Sequence, residues 1–156
     1  MGPRTTGEAK APARNLEVKV CGGSVFVDGF IINSPCTFTI DTGADVTMSH
    51  RVYTNLVNVE ELQPPEMNES IRGIDGSEIP VLGKVAVTIG LGERRSTRTV
   101  WVARIEEDCI LGTDFLREEG CVIDYPNCAL RLGKAEMPLR SENKGTRCLV
   151  LYWINR

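Results

Sequence analysis

The segment Thr39-Ile40-Asp41-Thr42-Gly43-Ala44-Asp45 holds the residue types from which acid–base chemistry is built. In the run leading into it, apolar Phe38 and Ile40 alternate with Thr37 and Thr39, so period two puts Asp41 on the face away from the core. A carboxylate delivered at the end of a strand and left uncovered can accept or donate a proton. Thr42-Gly43-Ala44 then supplies a short hydroxyl, a residue free in its dihedrals and a small side chain, so the backbone can turn tightly beside the carboxylate. Such a turn leaves room for another group to come close. Taken alone, an Asp-Thr-Gly triplet reads as nothing more than a strand-ending turn.

Two later segments add to it. Ile71-Arg72-Gly73-Ile74-Asp75-Gly76-Ser77-Glu78-Ile79 places Asp75-Gly76 between strand-forming arms, the short-range signal of a tight hairpin. Cys109-Ile110-Leu111-Gly112-Thr113-Asp114-Phe115-Leu116 reads as a buried strand that ends in glycine where a short helix begins. The single histidine, His50, has no Ser or Cys placed to form a nucleophilic pair with it and reads as a surface or packing residue. Trp101 and Trp153 read as packing residues as well.

The elements that must position these residues are strands. Leu16 to Cys21, Ser24 to Phe30, Pro35 to Ile40, Ser70 to Ile74, Ile79 to Leu91, Arg98 to Ala103, Cys121 to Asp124 and Cys128 to Leu132 are rich in β-branched residues, alternate with period two and are bounded by Gly, Pro, Asn and Asp. In Ile79 to Leu91, the side chains Val85, Val87, Ile89 and Leu91 share a face opposite Lys84, Ala86, Thr88 and Gly90, so one face packs inward. Helix is predicted only at Arg51 to Leu56 and at Thr113 to Glu119, the latter opening on a Thr/Asp pair suited to a cap and closing at Gly120. The fold class is all-β.

The domain is placed at residues 15–133. A disordered leader over 1–14 precedes it, and an extension over 134–156 starts as a polar linker and ends in the apolar run Cys148 to Ile154. A chain of 156 residues with 42% hydrophobic and 25% charged residues suits one core. Its net charge of −3 lacks the clustered Lys and Arg that nucleic acid or an anionic membrane surface needs. No apolar run approaches the ~20 residues that cross a bilayer. The leader has no secretory apolar stretch, so the six cysteines are expected to be reduced and the protein cytoplasmic. With no CxxC spacing and one histidine, no metal and no cofactor is expected.

Ile40-Asp41-Thr42-Gly43-Ala44-Asp45, Ile74-Asp75-Gly76-Ser77, and Ile110-Leu111-Gly112 with the helix after it resemble, in this order and spacing, the retroviral and retrotransposon aspartic peptidases, the retropepsin-like family. The resemblance covers Leu16 to Leu132, and Cys109 to Leu116 looks more like the long-terminal-repeat retrotransposon branch than the lentiviral enzymes. It implies a closed β-barrel with a flap hairpin and one short C-terminal helix. It also implies an aspartic endopeptidase that attacks with water and forms no acyl-enzyme. Asp41 would be the catalytic carboxylate and Thr42 and Gly43 its loop, with Thr42 bonding across a dimer axis. Gly43, Ala44 and Asp45, with Ile74, Asp75 and Gly76 of the flap tip, would bind substrate.

Two carboxylates are needed and the motif occurs once, so the resemblance implies a homodimer. Its substrate would be a peptide or polyprotein, from a retroelement or the host, met in the cytoplasm or within a retroelement particle. The alternative is a catalytically silent peptide-binding or dimerisation module of the same fold. The chain departs from the viral pattern in two places. Thr113-Asp114 stands where many retroviral enzymes carry an Arg that braces the loop Asp, which leaves the partner of Asp45 open. The chain also continues past Leu132, where many end in a strand of an inter-subunit sheet.

Overall fold

The computed structural model describes residues 24–52, 61–67, 69–73 and 76–141. The expected strand at Leu16 to Cys21, the leader, most of the expected helix at Arg51 to Leu56 and the apolar run Cys148 to Ile154 lie outside the described residues, as do Ile74 and Asp75.

Strands β1 (Val25–Ile31) and β2 (Ser34–Ile40) form an antiparallel hairpin in full register from Val25↔Ile40 to Ile31↔Ser34. Its turn residues Ile32 and Asn33 both take positive φ, 50° and 66°. That left-handed pair matches the twist of the flanking strands, and it suits Asn far better than β-branched Ile. Ile32 is tied down by its N–H, which donates to Thr88 O at 3.0 Å.

The chain continues through β3 (Met48–Ser49), the short pair β4 (Ile71–Arg72) and β5 (Glu78–Ile79), and the long hairpin β6 (Val81–Leu91) and β7 (Arg94–Ala103). It then enters β8 (Cys109–Leu111), α1 (Thr113–Glu118), a meander of β9 (Cys121–Asp124), β10 (Ala129–Leu132) and β11 (Ala135–Pro138), and β12 (Arg140–Ser141). Hydrogen bonding runs β1-β2-β8-β3-β7-β6 and returns to β1 through Phe30↔Gly90 and Ile31↔Ile89, which closes a barrel. Closure removes the open edges that an extended sheet would present. β12 adds to the outside of β1 at Val25 and Phe26.

The inward alternation of each strand fills this barrel. Val27, Ile31, Phe38, Ile89, Leu91, Val100, Val102 and Leu111 are all at most 1% exposed, and Leu130 and Leu132 of β10 join the same core. A second, smaller cluster of Met48, Ala103 and Ile110 is packed by Ala44, Val46, Ile71, Ile79, Trp101 and Ile105. That cluster joins the loop after Asp41 to the β4–β5 hairpin.

The all-β barrel with a hairpin and one short helix is the architecture read from sequence, with differences in detail. The run Ile79 to Leu91 is split at Pro80, which has no N–H to give to a ladder. β7 starts at Arg94, four residues before the expected Arg98, because the tight turn at Gly92 (φ 62°) sets Arg94 opposite Leu91 and pairing carries the polar stretch along. β3 was not expected, since two residues carry no period. Beyond Gly133, where a polar linker was expected, β11 pairs with β10 and β12 with β1. Cys36, Cys109 and Cys121 are free, but Cys128 is disulfide-bonded, which corrects the expectation that all thiols are reduced.

Candidate active site

Asp41 directly follows β2. Its N–H donates to Leu111 O at 3.1 Å, so the parallel pairing of β2 with β8 extends to the carboxylate-bearing residue itself. The backbone then turns. Ala44 N–H donates to Asp41 O at 3.1 Å, and Gly43 N–H donates to the Asp41 carboxylate oxygen Oδ1 at 2.9 Å. A Cβ on Gly43 would stand 3.3 Å from that oxygen, tight for any side chain. Phe38 and Ile40 point into the barrel while Asp41 stays half-exposed and Thr42, Gly43 and Asp45 exposed. The carboxylate is therefore oriented by a backbone donor and open on its other side.

The loop rests on the junction of β8 and α1. Thr113 N–H donates to Ala44 O at 2.8 Å. Gly112 is buried so closely under the loop that a Cβ there would lie about 2.5 Å from Val46 O and 2.8 Å from Ala44 O. Its φ of −92° is open to any residue, so the requirement for glycine is one of space.

A buried polar knot locks the same junction. Thr47, 1% exposed, donates its hydroxyl to Asp114 Oδ1 at 2.7 Å and its N–H to Asp114 Oδ2 at 3.1 Å, while its hydroxyl oxygen accepts from Gly112 N–H at 3.1 Å. That hydroxyl thus both donates and accepts, as burial requires of a polar group. Thr113 stands directly after Gly112, where the resemblance has an arginine, and the next residue, Asp114, braces the loop through Thr47. No side chain among the described residues pairs with Asp45.

Thr47 and Asp114 are the residues that sequence reasoning missed. The available signal was the departure itself, Thr113-Asp114 after Leu111-Gly112. A second network, which holds the strand behind the loop, was equally unforeseen. Asp108 Oδ2 accepts from Thr37 N–H at 3.2 Å and from Arg51 Nη1 at 3.3 Å, and Ser49 Oγ donates to Asp108 O at 2.6 Å.

Opposite the loop, β4 and β5 pair through Ile71↔Ile79 and Arg72↔Glu78. Gly73 N–H donates to Ser77 O at 2.8 Å, and Gly76, at φ 88°, donates to Gly73 O at 3.0 Å. The hairpin read from Asp75-Gly76 is thus present, with exposed Gly76 at its end, whereas Ile74 and Asp75 lie outside the described residues. Ile71 and Ile79 face the cluster that also receives Ala44 and Val46, so hairpin and loop share one apolar floor.

No family model matches the chain. Among solved structures it is similar to the retroviral protease-like domain of Ddi1 from Leishmania major, with a TM-score of 0.62 and 17% identity over 77% of this chain and 96% of that one. It is also similar to the EIAV protease complexed with the inhibitor HBY-793, with a TM-score of 0.51 and 25% identity over 64% of this chain and 90% of that one. The chain has the retropepsin-like fold.

Proposed function

We propose that the protein is an aspartic endopeptidase whose active site is completed by a second copy of the chain, with Asp41 as the catalytic carboxylate. The observation that carries the reading is the placement of Asp41: half-exposed at the end of a barrel strand, held by Gly43 N–H, in a loop built on a retropepsin-like fold. Peptide hydrolysis by water needs one group to take a proton from the nucleophile and another to give one to the carbonyl. One carboxylate cannot do both in the same step. A twofold axis beside the loop would set Asp41 against its own copy, since an isologous interface brings identical residues together.

Two carboxyls at that distance cannot both ionise, so the pair holds one proton and titrates as a unit, the behaviour established for aspartic-protease dyads. The ionised member removes a proton from a water between them while the protonated member donates its proton to the scissile carbonyl oxygen. Attack gives a tetrahedral gem-diol. Its collapse returns the proton to the leaving amine, with no covalent enzyme intermediate. Exposed Thr42 would bond across the axis. Gly43, Ala44 and Asp45 would bind peptide main chain from below, and the hairpin carrying Ile74, Asp75 and Gly76 would cover it from above, so that substrate lies as an added strand. The substrate class is a polyprotein or host protein presented as an extended segment.

The test is cleavage of an unbiased peptide library at mildly acidic pH, with products mapped by mass spectrometry. Cuts between apolar residues are expected, and Asp41→Asn should lower the rate by on the order of 10³ or more. Cleavage that survives that change rules out the dyad. Binding without turnover that is indifferent to the change identifies a silent peptide-binding module.

A further inference from the structure

The β4–β5 hairpin is short, and its two ladder pairs alone would not hold it at a defined height over the loop. What fixes its root is a contact outside the hairpin. Lys84 of β6 places Nζ 2.8 Å from Glu69 Oε2, two residues before β4, and the two side chains are only 21% and 24% exposed. The same Nζ lies 5.0 Å from the centroid of the Trp101 ring, its cross-strand neighbour in the β6–β7 ladder. The other Glu69 oxygen, Oε1, accepts from Glu66 N–H at 2.9 Å.

The backbone repeats the attachment. Gln63 and Lys84 exchange both N–H···O bonds at 2.9 Å, and Gly83 beside them has φ 159° with no room for a Cβ, which would stand 2.8 Å from Gln63 O. The segment entering the hairpin is thus sewn to β6 by main chain at Gln63 and by charge at Glu69. Trp101 in turn packs on the floor shared by Ile71, Ile79, Ala44 and Val46.

We propose that Glu69 and Lys84 form a latch that sets the β4–β5 hairpin against the catalytic loop, making them positioning residues for the bound peptide. This rests on the peptidase reading above. Half-buried, the pair has lost much of its water, so removing one partner strands the other and frees the hairpin root. Neither residue bonds to Asp41, whose carboxylate is held by Gly43 N–H, so the dyad's proton chemistry should not feel the change. Hydrogen bonding by Lys84, aided by Glu66 N–H, holds the Glu69 carboxyl below the usual range, which keeps the latch ionised under the mildly acidic conditions that suit a carboxyl dyad.

The test compares the full chain with Glu69→Gln and Lys84→Met in two readouts. The first is amide exchange across the hairpin, including Gly73 and Gly76, and the second is steady-state cleavage of a peptide that the parent protein cuts. Each variant should exchange roughly fivefold faster across the hairpin and show KM raised by about the same factor. Its kcat and the pH dependence of kcat should be unchanged. Lys84→Arg, which keeps a cation over Trp101, should stay within about twofold of the parent in both readouts. Unchanged hairpin exchange in both variants overturns the latch. So does a loss of kcat with KM unaltered, or a Lys84→Arg protein as impaired as Lys84→Met. If the parent protein cuts no peptide, the peptidase reading fails on its own, and the exchange measurement still decides the latch.

Discussion

Thr47 illustrates how a single buried hydroxyl can hold the loop that follows Asp41. It is donor to one carboxylate oxygen of Asp114 and acceptor from Gly112 N–H, within a site that is 1% exposed. Replacing it by Val keeps the shape and removes the hydroxyl, leaving Gly112 N–H and one Asp114 oxygen without that partner. An unmade buried bond costs about 1–3 kcal/mol, more where the partner is charged. Thr47→Val should therefore lower the urea midpoint by an amount equivalent to about 2–3 kcal/mol. Thr47→Ser, which keeps the hydroxyl, should recover most of it. A Thr47→Val protein as stable as the parent would show that the knot contributes no net stability. After Leu111-Gly112 this chain carries Thr113-Asp114 and no arginine, and the brace there is a carboxylate reaching a threonine.

At the scale of elements, the parts of the fold visible in the sequence are those set by local period. In β2 and β6 the inward residues Phe38, Ile40, Val85, Val87, Ile89 and Leu91 are the buried face that period two predicts. The outward placement of Asp41 was legible for the same reason, since alternation through Phe38 and Ile40 decides which way it faces. What escaped the sequence is non-local. Thr47 and Asp114 are 67 residues apart, and β3 exists only because β7 and β8 accept it from either side. β11 and β12 sit in a charged stretch that pairs because β10 and β1 offer free edges. The β9–β10 turn gives a prediction at this scale. Asn127, by side chain and N–H, and Arg131 hold the Asp124 carboxyl at about 2, below its ordinary 3.8. A carboxyl whose folded value is lowered contributes its stability above about pH 4 and loses it as pH falls through about 2. The melting temperature of Asp124→Asn should lie below that of the parent at pH 5, and the gap should close as pH approaches 2. A gap of constant size would assign the loss to packing.

For the whole molecule, the proposed dyad together with a single Asp-Thr-Gly segment makes activity a property of an assembly. The described chain is a closed barrel whose Asp41 loop presents Thr42 and Gly43 outward, with the carboxylate behind them half-exposed. The sequence carries no second Asp-Thr-Gly segment, so under the proposed mechanism completion comes from another copy. If folded monomers are stable but inactive, the rate at fixed substrate follows dimer concentration. It should then fall with the square of total protein below the dimer dissociation constant and linearly above it. Sedimentation over the same range should place the bend in the activity curve at the concentration where the dimer dissociates. A mixture supplies a stricter test. Adding excess Asp41→Asn protein to a fixed amount of parent should suppress activity as heterodimers form, since each would hold one ionisable carboxyl of the pair. Activity strictly linear in parent protein at every dilution, and indifferent to the added variant, would mean that one chain suffices and that the second proton-transfer group lies elsewhere in it.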